Sequence, residues 1–170
     1  MNKIKATDII KNKKQLDIDI SKYWNIILKE NLLDKGLTRN YDMKALLHSI
    51  NEMYNKRVQT KLDSIAINLG YKSRADFPKE SIYPIIYTLS ERNELYVHLD
   101  KVLKIATINP ILKAKLGKKK LYKTEELTAD YIKKLMIPLQ LEINGLKKKL
   151  EDFNSKAELD IDKAYMYLVA

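Results

Sequence analysis

Residues 81–107 read SIYPIIYTLSERNELYVHLDKVLKIAT, and this stretch decides the fold class. Its apolar residues Ile82, Ile86, Leu89, Tyr96, Leu99, Leu103 and Ala106 recur at spacings that set them along one side of a 3.6-residue helix. Ile85, Leu95, Val97, Val102 and Ile105 widen that stripe beyond a single seam, so neighbours must cover the helix on several sides. Ser81 suits an N-cap, Pro84 is tolerated in a first turn, and Asn109-Pro110 is a stop signal. The spacing predicts a central helix with other helices around it.

The composition agrees. At 170 residues, with 45% hydrophobic and 32% charged side chains, the chain forms one domain, or one domain with an extension. Only four Gly and four Pro leave few turns, which favours long helices over many short strands. The absence of cysteine excludes disulfides, zinc ribbons and thiol catalysis. The N-terminal MNKIKATDIIKNKK is charged where a signal peptide needs an apolar core, and the longest uncharged run, residues 81–90, is too short to span a bilayer. A cytoplasmic protein with no membrane association is the expectation.

Upstream, residues 6–34 carry Ile9, Leu16, Ile20, Tyr23, Ile27 and Leu33 at helical spacing; Leu16-Asp17-Ile18-Asp19-Ile20 alternates as a short strand would, but the helical pattern on both sides and the lack of a turn residue favour helix. Trp24 is the expected core anchor. From Asn40 or Tyr41-Asp42, the residues Met43, Leu47, Ile50, Tyr54, Val58, Leu62, Ile65 and Leu69 predict one long helix, or two that break near Val58-Gln59-Thr60, with Gly70 just past the end. Downstream, Thr124-Glu125-Glu126 opens a last helix through Leu127, Tyr131, Leu135, Leu139, Leu146, Leu150 and Phe153, with a kink at Pro138. The predicted architecture is all-α: a bundle of four or five helices with an extended C-terminal helical arm and an exposed basic loop. Its parts are a helical core over 1–110, the basic loop at 111–123, the C-terminal helix at 124–158 and a tail at 159–170.

The net charge is +10, and residues 111–123 hold six basic and no acidic side chains. Lys113, Lys115, Lys118, Lys119, Lys120 and Lys123 can displace counterions from a phosphate backbone, and Tyr122 can stack on an unpaired base. Only four of the 32 basic residues are Arg, so bidentate guanine reading is poorly supplied and backbone or shape recognition is expected. The same lysines suit an acidic protein surface, and part of the lysine content follows the Ile, Asn and Lys bias of the whole chain. The rival expectation is a protein–protein adaptor or inhibitor, such as a mobile-element protein acting on a host complex. It would use the amphipathic segment 139–158, which could also join copies into a homo-oligomer.

Residues 63–77, DSIAINLGYKSRADF, resemble the IA–LGY–S–F stretch of AraC-type helix-turn-helix modules. That resemblance implies Lys72, Ser73 and Arg74 as groove-facing residues. Pro78 and Pro84 fall where an uninterrupted recognition helix should run, so a helix C-cap followed by a loop is the reading taken.

Catalytic constellations are thin. His48 and His98 have no HExxH-type partner and read as partly buried structural histidines. Asp42-Met43-Lys44 has the spacing of a nuclease half-motif but opens a helix, and Asp160 and Asp162 alternate in the tail. The expectation is a non-enzymatic binding protein with neither cofactor nor metal.

Overall fold

The computed structural model describes residues 4–33, 36–115 and 126–158, those at 108–115 by their backbone alone. Among the described residues there are four long helices, α1 (Ala6–Glu30), α2 (Met43–Asn68), α3 (Tyr83–Lys115) and α4 (Ala129–Lys156), with one short 3-10 turn at Arg74–Asp76. The fold is an all-helical bundle, with no strand among the described residues.

Neighbours in the chain are neighbours in space: α1 lies on α2, α2 on α3 and α3 on α4. Each pair runs antiparallel. Asp17 meets Arg57 while Trp24 meets Tyr54, and Arg57 meets Glu91 while Asn51 meets Arg92. Arg92 in turn meets Glu142. The chain therefore goes up, down, up and down.

Local chemistry sets the helix ends. Asp42 caps α2, its carboxylate accepting from the Ala45 amide at 2.9 Å, and that hydrogen bond holds its carboxyl below the usual range. Leu69 ends the helix, and Gly70 takes a left-handed φ of 75° that only glycine adopts without strain. The Gly70 amide then donates to Ile67 O and the Tyr71 amide to Ala66 O, the two bonds of a Schellman motif. Thr128 caps α4. The last carbonyls of α1 are satisfied by Arg39, which donates to the oxygens of Glu30 and Asn31.

The core is built from Ile20, Trp24 and Ile27 of α1, Met43, Ile50 and Tyr54 of α2, Leu99 and Val102 of α3, and Ile132 and Ile143 of α4. Trp24 is nearly fully buried, as expected. On α4 the buried residues stop at Ile143, and the turns beyond it carry no fully buried side chain. The predicted C-terminal helix thus joins the core through its first half.

Of the two forms left open for α2, the single helix is the one observed, uninterrupted at Val58-Gln59-Thr60. The alternating Leu16–Ile20 stretch is helical, as its flanks favour. Two expectations need correction. Ser81 is not the cap of α3, which begins at Tyr83, with the Ile86 amide donating to Ile82 O. Asn109-Pro110 does not stop α3, which continues to Lys115 and takes in the first residues of the predicted basic loop. A proline in a helix interior forfeits one hydrogen bond, a loss that α3 tolerates at Pro110 and α4 at Pro138.

Candidate functional site

The side chains of Lys113 and Lys115, and the whole of Lys118, Lys119, Lys120, Tyr122 and Lys123, lie outside the described residues, as does the tail with Asp160 and Asp162. What the structure gives is the anchor at which the basic segment rejoins the bundle. Asn31, buried at the end of α1, donates from Nδ2 to Leu127 O at 3.1 Å and accepts from the Leu127 amide at 2.8 Å. Glu126 turns inward and accepts from the Met43 amide at 3.1 Å. The first carboxylate after the segment that is described is thus occupied by the start of α2.

Lys72 and Arg74 follow the far end of α2, whose 26 residues span about 39 Å at the α-helical rise. They stand away from the Asn31–Leu127 anchor, which lies near the start of that helix. Arg74 is paired with Asp63 at 2.8 Å and also bonds Gln59. Lys72 is exposed. Ser73 and Asp76 form a capping box around the 3-10 turn, and the chain runs on through Phe77-Pro78. No recognition helix follows Gly70, and the helix-turn-helix resemblance stops at the level of sequence.

Sequence reasoning missed the most concentrated chemistry in the molecule, a charged cluster where α1, α2 and α3 meet. Glu91 is fully buried on α3, and its carboxylate bridges Arg57 Nε at 2.6 Å and Lys61 Nζ at 2.6 Å. Arg57 also reaches Asp17 at 2.8 Å and contacts Glu94. Glu94 accepts from the Tyr54 hydroxyl at 3.3 Å, and that hydroxyl accepts from Trp24 Nε1 at 3.1 Å. The Trp24 ring stacks on His98 with centroids 4.8 Å apart.

The electrostatics follow from burial. Desolvation works against the Arg57 charge, but hydrogen bonds to Glu91 and Asp17 outweigh it and hold the guanidinium protonated beyond its ordinary range. Burial pushes the Tyr54 hydroxyl well above its usual value. Burial, helped by Lys101, pulls His98 down, and its Nδ1 has no hydrogen-bond partner. The cluster joins three helices and keeps its charges neutralised.

On the other side of α3 the bundle is open, because α4 packs closely on α3 alone among the described helices. A cleft of about 370 Å³ results, floored by Leu47, Leu95, Leu99 and Leu139. Arg92 crosses it, donating to Glu142 at 2.9 Å and to Asn55 at 3.0 Å, and Lys44 lies over the Tyr131 ring at 5.0 Å. His48, expected to be partly buried, is exposed at the rim. The backbones of α2 and α4 do not approach closely, so no described helix covers it. Among the described residues no group of three or more acidic or imidazole side chains could hold a metal ion, and no helix is long and apolar enough to cross a membrane.

A second concavity lies along the outer face of α3 and α4, walled by Tyr96, Leu103, Met136, Ile137 and Leu141. Ile137 is 64% and Leu141 68% exposed, unusual values for residues that could equally have been polar.

No protein-family model, curated protein or solved structure matches this chain. Its function has to be argued from its own residues.

Proposed function

We propose that this chain is a non-enzymatic binding protein that holds a nucleic-acid backbone with Lys113, Lys115, Lys118, Lys119, Lys120 and Lys123, with Tyr122 stacking on an unpaired base. One observation carries the reading: residues 111–123 hold six lysines and no carboxylate. The use of carboxylates elsewhere supports it. Glu126 serves the Met43 amide, Glu91 and Asp17 serve Arg57, and Glu142 serves Arg92. Arg74 is committed to Asp63 and has no part in the proposed contact.

The test is a salt titration of binding to generic DNA and RNA. Affinity falls as salt rises, and replacing Lys118, Lys119 and Lys120 by Ala flattens the log–log slope by about three at most. No detectable binding at low salt overturns the proposal.

A second reading, a protein–protein adaptor working through the C-terminal helix, is favoured by the exposed Ile137 and Leu141. Ile137 lies just before and Leu141 just inside the 139–158 segment named from sequence, so that surface is the one to alter. A partner held there is lost with Ile137→Asp and Leu141→Asp, whereas the lysine variant leaves it bound.

A further inference from the structure

The cleft that α2, α3 and α4 leave open has the make-up of a small-ligand site. We propose that it binds an alkyl carboxylate of medium chain length, with the head beside Lys44 and His48 and the chain lying along leucines towards Arg92. The proposal goes beyond the nucleic-acid reading and uses none of the lysines of residues 111–123.

Three helices line the cleft in order. Lys44, Leu47, His48 and Asn51 are three and four apart on α2, so one face of that helix forms a wall. Leu95 and Leu99 come from α3, and Leu135 and Leu139 from α4. All of these leucines except the half-buried Leu135 belong to the packed core, so the apolar base exists before any ligand arrives.

The two ends of the cleft differ. At one, Arg92 is engaged: Nε donates to Glu142 at 2.9 Å, Nη2 to Asn55 at 3.0 Å and Nη1 to Asn51 at 3.4 Å. The ion pair with Glu142 leaves that end with little net charge. At the other end Lys44 Nζ lies over the Tyr131 ring, and no described carboxylate forms a salt bridge with it. Asp42, two residues earlier, turns its carboxylate to the Ala45 amide as the cap of α2. His48 is exposed one turn further on. Lys44 and Arg92 against Glu142 leave the lining with one positive charge. A single carboxylate balances it, whereas a doubly charged phosphate would overshoot.

The length of the ligand follows from the helix. Asn51 stands seven residues after Lys44, about 10 Å along α2. A carbon–carbon bond of about 1.5 Å advances a zigzag chain by roughly 1.3 Å, so about eight bonds cover that distance. Octanoate has this reach. The cleft, at about 370 Å³, lies at the lower end of the range for small-ligand sites, which suits a ligand of this size.

The test is a titration of the full chain with octanoate, read by methyl and amide NMR shifts. Saturable shifts are expected at Leu47, Leu95, Leu99 and Leu139, with a Kd of about 1 mM or tighter. Octanol and octylammonium, which lack the negative charge, bind at least about fivefold more weakly. Octanoate binds about fourfold more tightly than hexanoate, roughly twofold per methylene in a cleft open on one side. Lys44→Glu, at an exposed position, weakens octanoate binding about fivefold. Lys22→Glu makes the same change of net charge on α1, which packs on α2 and away from α4, and leaves binding unaltered. No saturation by about 10 mM overturns the proposal. So do equal affinities for octanoate and octylammonium, equal losses in the two lysine variants, or shifts confined to Ile137 and Leu141. No nucleic acid enters the measurement, so its failure is distinct from failure of the proposed function.

Discussion

Arg57 and Glu91 form an ion pair inside the bundle, Nε to Oε2 at 2.6 Å, with Glu91 shut off from solvent altogether. Desolvating both ions costs more than their attraction returns unless further partners complete the shell. Lys61 completes it for Glu91, and Asp17 and Glu94 complete it for Arg57. The arrangement thus specifies how α1, α2 and α3 sit against one another more than it stabilises them.

Removing one ion is therefore expected to hurt more than removing both. Glu91→Ala leaves Arg57 and Lys61 facing a void and costs about 3 kcal/mol. Arg57→Met with Glu91→Leu frees Asp17, Glu94 and Lys61, which are all partly solvated, and stays within about 1 kcal/mol of the parent. Urea unfolding of the parent, the single and the double variants measures the difference. A double variant as unstable as Glu91→Ala would show that the pair contributes net stability.

His98 gives the fold a defined pH response. Its ordinary value is 6.5, and burial against Trp24 lowers it in the folded chain. Between the two values the unfolded state binds the extra proton and the native state does not, so stability is lost as pH falls below 6.5 and levels off beneath the folded value. His98→Phe keeps a ring against Trp24 and removes the titration. The difference in unfolding free energy between parent and variant should shift in the variant's favour from pH 7 towards pH 5. A protonated imidazole quenches a stacked indole, so the emission of Trp24, the only tryptophan, should fall with a midpoint below 6.5.

The helical class was legible because apolar spacing survives any choice of partner, and the α2 residues Met43, Leu47, Ile50, Tyr54, Val58 and Leu62 are all buried as their spacing demands. The face of α3 was read less well. Its buried side is Glu91, Leu95, Leu99, Val102 and Ala106, while Ile86 and Val97 are exposed. A stripe counted from apolar residues alone leaves out a carboxylate that sits four residues before Leu95. Arg57 was overlooked for the same reason, standing seven residues after Ile50 on the buried face of α2. A cation and an anion at core positions of adjacent helices were the available signal. The helix ends diverged where prolines were weighed as stops: a run as long as α3 absorbs one lost hydrogen bond, and only the hydrogen bonds of the folded chain reveal that.

Asn31 and Leu127 test how firmly the basic segment is anchored. Their two hydrogen bonds are buried and reciprocal, so Asn31→Ala leaves both the amide and the carbonyl of Leu127 unsatisfied. The expected cost is about 2–3 kcal/mol, set by desolvation of the orphaned groups. Amide hydrogen exchange localises the effect: protection at Leu127 is lost while that at Ile50 and Tyr54 falls only by the global change. Uniform loss across all four helices would mean that this joint and the core open together.

Two glycines separate backbone conformation from crowding. A methyl group added at Gly70 or at Gly145 meets no atom within 4 Å, so space does not decide the sign at either position. Gly70 holds φ at 75°, and Gly70→Ala is expected to cost about 1 kcal/mol, with Gly70→Asn costing less. Gly145 lies inside α4 with helical geometry, and Gly145→Ala is expected to gain about 0.5–1 kcal/mol by narrowing the unfolded ensemble. The gain should appear as slower amide exchange around Leu146 and Leu150, on the arm beyond the last buried residue of α4. Equal signs in urea unfolding would mean that one of the two backbones differs from the conformation described.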